Sequence, residues 1–402
     1  MRKTARFFLV TTAVAVGTLY AGAWRAEADS LFAQTNLVSD ISGLAALTDP
    51  ALHNPWGISH NAASPFWVSN QGINPALPPP PINTATLYAV TAGNTVTKAA
   101  PMGTNGNILI PQTASGPQGP TGQVANTNTN SFPVGMGGNN ASASFIFANL
   151  NGTISAWNGG QTAFIQVTTP GAVYTGLAIN QAQTQLYAAN NAGLGSINVF
   201  DKSFTPVNLG SGAFATPPGV PTGFVPFNVQ SINGNIYVTY APSGLTNQRN
   251  ATPGMGAVAK FTENGTFLGM AADSGHLAAP WGLALAPAGF APFGGDLFVG
   301  NFSFMASEIN VFDASGNFLF TIPIDVGMGN TAGGLWALGF GTGGNNGSPN
   351  TLFFTDGING EMDGLFGAIN VVPAPIVGAG LPGLVVACGA LLALVRRRRR
   401  SA

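Results

Sequence analysis

Asn54-Pro55-Trp56-Gly57-Ile58, a polar gap, then Phe66-Trp67-Val68-Ser69-Asn70: this stretch decides the fold, because it recurs. A glycine-containing strand start is followed by an aromatic β-run that ends on a small or polar residue. Further copies read Pro120-Thr121-Gly122-Gln123-Val124 with Phe145-Ile146-Phe147-Ala148-Asn149, and Tyr174-Thr175-Gly176-Leu177 with Leu186-Tyr187-Ala188-Ala189-Asn190. A fourth has Pro226-Phe227-Asn228-Val229 with Ile236-Tyr237-Val238-Thr239-Tyr240. The fifth and sixth are Pro280-Trp281-Gly282-Leu283 with Leu297-Phe298-Val299-Gly300-Asn301, and Leu335-Trp336-Ala337-Leu338 with Leu352-Phe353-Phe354-Thr355-Asp356. Aligning Gly57, Gly122, Gly176, Phe227, Gly282 and Ala337 gives intervals of 65, 54, 51, 55 and 55 residues. The longest interval carries Pro78 to Pro81 and a Gly/Pro/Gln-rich stretch over residues 112–122, which read as loop insertions.

Each copy continues with another β-run, such as Ser196-Ile197-Asn198-Val199-Phe200-Asp201 or Glu308-Ile309-Asn310-Val311-Phe312-Asp313, then a short turn and a fourth run. Asn264-Gly265 and Ser315-Gly316 sit where hairpin turns belong. Four strands in each unit of about 50 residues, repeated six times, predict an all-β six-bladed β-propeller. A five- or seven-bladed ring and a pair of β-sandwiches are the alternatives. The last copy supplies three strands of its own. The run Thr35-Asn36-Leu37-Val38-Ser39-Asp40, ahead of the first copy, is expected to close the ring as the outermost strand of the sixth blade.

Composition supports this class. Of 402 residues, 55 are Gly and 29 are Pro, and charged residues make up 7%, which excludes helical bundles and coiled coils. A 45% hydrophobic content is enough to bury a core. The single cysteine, Cys388, excludes an intrachain disulfide framework. The net charge of −1 offers no basic field for nucleic acid.

The two ends read as addresses. Residues 1–28 have a cationic start, an apolar run from Phe7 to Ala23 and small-residue exits, the pattern of a secretory signal peptide. Residues 372–402 contain Pro373-Ala374-Pro375, twenty uncharged residues from Ile376 to Val395, and Arg396, Arg397, Arg398, Arg399 and Arg400. Twenty helical residues span about 30 Å, one bilayer core, and the arginines are expected on the cytoplasmic side. Between these ends, residues 29–371 are expected to form the propeller. Only Lys98, Lys202, Arg249 and Lys260 oppose thirteen acids there, a net −9.

The tripartite C-terminal tail resembles the PEP-CTERM sorting signals of Gram-negative bacteria that make extracellular polysaccharide, with Ala374 where that motif has Glu. The resemblance implies recognition by an exosortase-like processing enzyme. The repeat phrase resembles NHL-type propeller repeats. Residues 34 to 370 are also similar to a family of secreted bacterial proteins, through Asn36-Leu37-Val38-Ser39-Asp40, Asn54-Pro55-Trp56-Gly57 and Asn151-Gly152-Thr153-Ile154-Ser155. That resemblance implies a propeller and export; it implies no particular activity.

In a propeller, strand one starts on the face where strand two ends. That face is expected to gather His53, Asn54, Trp56, His276, Trp281 and Trp336 with the second-strand ends Asn70, Asn149, Asn190, Tyr240, Asn301 and Asp356 around a channel mouth. Asn carbonyls and a carboxylate suit a hard cation such as Ca²⁺, and Trp faces beside amides suit sugar rings. The competing expectation is structural: Asn caps strand ends, Trp residues plug the channel, and the histidines are ordinary loop residues. No cofactor is required by the sequence. The expected function is an exported, surface or extracellular, non-catalytic binding or matrix module, with polysaccharide or envelope proteins as partners and at least transient attachment to the membrane. A metal-dependent hydrolase of the lactonase type is the alternative.

Overall fold

Proline near the start of an inner strand faces a residue at or near the end of the next strand in four of the six repeats, and this register organises the fold. The pairs are Pro55 with Asn70, Pro120 with Asn149, Pro226 with Tyr240 and Pro280 with Asn301; Tyr174 with Asn190 and Leu335 with Asp356 complete the set. Immediately after each pair the register slips. Six equivalent bulges therefore sit at the head of the six inner strands, where they increase the local twist.

The computed structural model describes residues 31–72, 83–111, 113 and 117–372. Residues 34–370 form one compact unit. Of the other unit, 1–33 with 371–402, the described residues are Leu31–Ala33 and Val371–Val372, where the Val372 amide donates to the Leu31 carbonyl. Residues 1–28, expected to be a signal peptide, Pro78 to Pro81, Cys388, and Pro373 to Pro375 with Arg396 to Arg400, expected to be a sorting signal, lie outside the described residues. Among the described residues no helix is long and apolar enough to cross a membrane.

Six antiparallel sheets follow one another as blades of a β-propeller. Their inner strands are Pro55–Ser59, Pro120–Ala125, Tyr174–Ile179, Phe224–Ile232, Pro280–Leu285 and Leu335–Phe340, and each packs beside the inner strand of the next blade. In the sixth blade Phe32–Ser39 lies beside Leu365–Val371 as the fourth strand, as the sequence predicts. It is not the outermost: the short strand Leu47–Thr48 pairs with it in parallel. The long first interval is also more than a loop. Asn107–Leu109 adds to the third strand of blade one, Thr84–Val90, beside Thr84 to Thr86.

The register corrects the sequence alignment in blade four. Pro226 matches Pro280, so Asn228 and not Phe227 occupies the position of Gly282. The reason for glycine there is steric. A Cβ on Gly57 would lie 2.6 Å from the Thr121 carbonyl oxygen of blade two, and one on Gly122 would collide with the Leu177 amide of blade three. On Gly176 it would collide with Asn228 of blade four, and on Gly282 with the Trp336 carbonyl of blade six. Asn228 turns the same closeness into a bond, donating from Nδ2 to the Trp281 carbonyl across 2.7 Å.

The core lies between blades. Trp67 of blade one stacks on Phe145 of blade two at 3.9 Å between centroids, and Phe66 packs on Phe353 and Phe366 of blade six. Such aromatic pairs contribute about 0.5–1.5 kcal/mol beyond the area they bury. Alternate faces of each sheet are apolar because each blade is covered on both sides, which is why second strands such as Phe66–Asn70 are buried throughout.

Substituting Gly122→Ala should destabilise the ring by about 1–3 kcal/mol, since the collision is with backbone and not with a movable side chain. Gly93→Ala, where a Cβ meets nothing closer than 4.0 Å, should stay within about 0.5 kcal/mol of the parent. Denaturant unfolding of both variants measures the difference.

Candidate functional site

The axis of the ring has two unlike ends. At the head of the inner strands Trp56, Phe227, Trp281 and Trp336 turn inward and meet. Trp56 and Trp336 stack with centroids 3.4 Å apart and 18° between planes, and Trp281 stands edge-on to both at 6.2 and 5.7 Å. Phe227 of blade four reaches Trp336 of blade six, and Trp281 Nε1 of blade five donates to the Thr175 carbonyl of blade three. Contacts between blades that are not neighbours place these rings across the channel. All four residues are less than 5% exposed, so they form a plug.

Polar groups hold the plug in place. Trp336 Nε1 donates to Asn54 Oδ1 (3.1 Å); Asn54 Nδ2 and Trp56 Nε1 both donate to Gln71 Oε1 (2.8 and 3.1 Å). Gln71 in turn donates to the Gln118 carbonyl. Asn54 adopts a φ of 38°, a left-handed conformation that asparagine tolerates. Above this layer Arg249, at the end of the short helix Leu245–Arg249, pairs with Glu361 of blade six. The Arg249 guanidinium also lies 5.5 Å from the Phe304 ring of blade five. Burial raises the Glu361 pKa, and Arg249 pulls against that rise.

The predicted mouth residues are therefore divided. Asn54, Trp56, Trp281 and Trp336 come together, as plug. The second-strand ends stand one strand away from the axis and are structural in their contacts. Asn70 donates to the Val68 carbonyl and to Thr84 and Thr86; Asn149 donates to Thr153 and Ser155. Asn301 accepts from the Ala278 amide and donates to the His276 carbonyl, and Asn190 accepts from the Val173 and Ala192 amides. Tyr240 is buried with its hydroxyl unpaired. His53 pairs with Asp40 at 3.1 Å, whereas His276 stacks on Phe318 at 3.5 Å, so the two histidines have unrelated surroundings. Among the described residues no three His, Cys, Asp or Glu side chains are grouped to hold a metal.

Asp356 stands apart. It is fully buried, and neither carboxylate oxygen has a hydrogen-bond partner among the described residues. Burial first, and the Glu361 charge second, raise its pKa well above the usual carboxylate range. The repeated aspartates Asp201 and Asp313 serve turns, each accepting two amides of the following hairpin.

The other end of the axis is open. A cavity of about 420 Å³ runs from its floor at Trp281 to the ends of the inner strands, and among the described residues its lining contains no Asp, Glu, Lys or Arg. Blade four gives it a polar wall of Asn228, Gln230 and Ser231. Ile58, Val124, Leu338 and Phe340 are apolar lining on blades one, two and six. His60 sits at the rim, with Nε2 2.9 Å from the Phe340 carbonyl; burial lowers its pKa, which favours the neutral imidazole. Gln123 is locked by two bonds from Nε2 to the Gly57 and Trp67 carbonyls (2.7 and 2.8 Å). Sequence reasoning placed no site at this end. The available signal was the polarity of Ser59, Gln123, Asn228 and Gln230 in inner strands whose equivalents are otherwise aliphatic or small.

No protein-family profile matches the chain. Among curated proteins it is similar to uncharacterized protein R648 of Acanthamoeba polyphaga mimivirus, 29% identical over 353 residues, covering 83% of this chain and 78% of that protein. Uncharacterized protein L690 of the same virus is 29% identical, with 70% of this chain and 72% of that protein covered. For R640 the identity is 28% over 68% of this chain, which spans about half (49%) of that protein. Among solved structures, a Bacteroides thetaiotaomicron protein of unknown function aligns with a TM-score of 0.47 at 11% identity, covering 84% of this chain and 76% of that one. The Dos1 propeller aligns with a TM-score of 0.42 at 10% identity, covering 81% and 70%.

An acid whose folded pKa is raised binds its proton more tightly in the folded chain. Asp356 therefore stabilises fully below its unfolded pKa of about 4, and this contribution is lost as pH rises toward the folded value. Thermal unfolding from pH 4 upward should show stability falling with pH. Asp356→Asn, which keeps the neutral shape, should flatten that fall; an unchanged slope would assign it to other groups.

Proposed function

We propose that this chain is an exported, non-catalytic binding propeller that holds a neutral saccharide in the open end of its axis. The observation that carries this reading is the charge-free cavity with a polar amide wall on one blade and apolar side chains on others. A sugar ring has the matching character, a C–H face and a rim of hydroxyls that both donate and accept. The inner strands add to the fit, because each is the end strand of its sheet and its unpaired edge carries backbone N–H and C=O groups.

Export follows from the N-terminal pattern, and transient membrane attachment from the apolar C-terminal stretch with its five arginines. An exosortase-like enzyme is the processing partner that the tail's resemblance suggests, and extracellular polysaccharide the natural source of a saccharide ligand. The described residues that line the cavity include no Asp or Glu, which favours binding over the lactonase-type reading, since that needs ligating or acid–base carboxylates there.

An array of neutral and acidic glycans probed with the full chain tests the reading. Retention on neutral glycans is the expected result, unaffected by chelation of divalent cations. Failure to bind any saccharide, or hydrolysis of a lactone in a metal-dependent assay, would overturn it.

A further inference from the structure

The open cavity is a blind well, and this limits how a polymer can enter it. Its floor is Trp281, and Trp281 belongs to the plug in which Trp56 and Trp336 stack and Phe227 closes the remaining side. The indole is tied to the far side of the ring by its bond to the Thr175 carbonyl. Beyond the plug the Arg249–Glu361 pair joins blades four and six. No continuous path for a chain leads through the axis. At its base the blades touch at Gly57, Gly122, Gly176 and Gly282, and the Asn228 bond to the Trp281 carbonyl joins blades four and five.

We infer that the well recognises the terminal residue of an uncharged saccharide chain and not its internal residues. This rests on the saccharide-binding reading given above. A chain held along its length needs an open groove, whereas a pit closed at one end admits only an end. Gln230 is the residue best placed to read the terminal hydroxyls. It lies on the polar wall and is half-buried; its backbone pairs with Tyr237 in the ladder, and its side chain makes no hydrogen bond among the described residues. Its amide offers two donors and an acceptor, which matches vicinal hydroxyls. Because no hydrogen bond of the fold among the described residues depends on this side chain, its replacement is expected to change ligand recognition more than stability.

The test uses linear malto-, cello-, xylo- and manno-oligosaccharides of increasing length, with cyclic dextrins of the same sugar as the malto series, titrated calorimetrically into the full chain. The expected result is that a series which binds does so with an affinity per mole of chain that is independent of length. Cyclic dextrins, which have no ends, should fail to bind or to compete. Gln230→Leu should weaken binding about fivefold, the effect of one lost hydrogen bond of about 1 kcal/mol, with an unchanged unfolding midpoint. Affinity that rises in proportion to length, cyclic dextrins bound as tightly as linear chains of the same sugar, or binding indifferent to Gln230→Leu would overturn end recognition while leaving saccharide binding intact. No binding by any series, with none on the glycan array, would overturn both.

Discussion

Backbone touching backbone at the axis is the constraint on which the rest of this molecule depends. Six sheets can share one axis only if their inner strands approach closely, and at Gly57, Gly122, Gly176 and Gly282 there is no room for even a methyl group. The bulge at the head of every inner strand belongs to the same solution, because it gives the strand the extra twist needed as it enters the ring. Where glycine is missing, as at Asn228, the side chain is recruited into the contact through its bond to the Trp281 carbonyl.

Closeness at one level creates space above and below it, and the two spaces are used differently. Above the glycine layer three indoles and a phenyl ring fill the axis, and each indole N–H finds an acceptor. Large aromatic surface is buried there without leaving its polar handles unpaired. Below, the residues are smaller and the axis remains hollow. The plug therefore makes one end of the propeller a stability element and leaves the other as the place where chemistry can be offered to a ligand. Asp356, buried at the sealed end with no hydrogen-bond partner among the described residues, is a group whose burial works against the fold at neutral and alkaline pH.

Much of this architecture is visible in the repeat. Strand pairs, turn residues and the N-terminal closing strand all follow from the phrase at Asn54 to Asn70 and its copies. The register in blade four was harder to read, because Pro226-Phe227-Asn228 lacks the glycine that marks the others and the aromatic residue draws the alignment by one position. The site was harder still. Asn70, Asn149 and Asn301 look like a ring of ligands in sequence, yet a second strand stands one strand-width from the axis, so their side chains are spent on neighbouring backbone and hydroxyls. Gln230 and His60 carry no repeated motif, and only the direction of the inner strands brings them to the open end.

The closing strand has a consequence for how such a ring comes into being. Ser39 Oγ donates to the Gly364 carbonyl and the Gly364 amide donates to Asp40, a contact between residues 325 positions apart. Blades one to five can each complete their sheets from local strands, but the sixth must wait for two segments far apart in the sequence to meet. Synthesis from the ribosome releases the early partner first, so it spends the whole of translation without its mate. The price of a seamless ring is thus a late, entropically costly latch, so closure of the sixth blade is expected to be the slow step of folding.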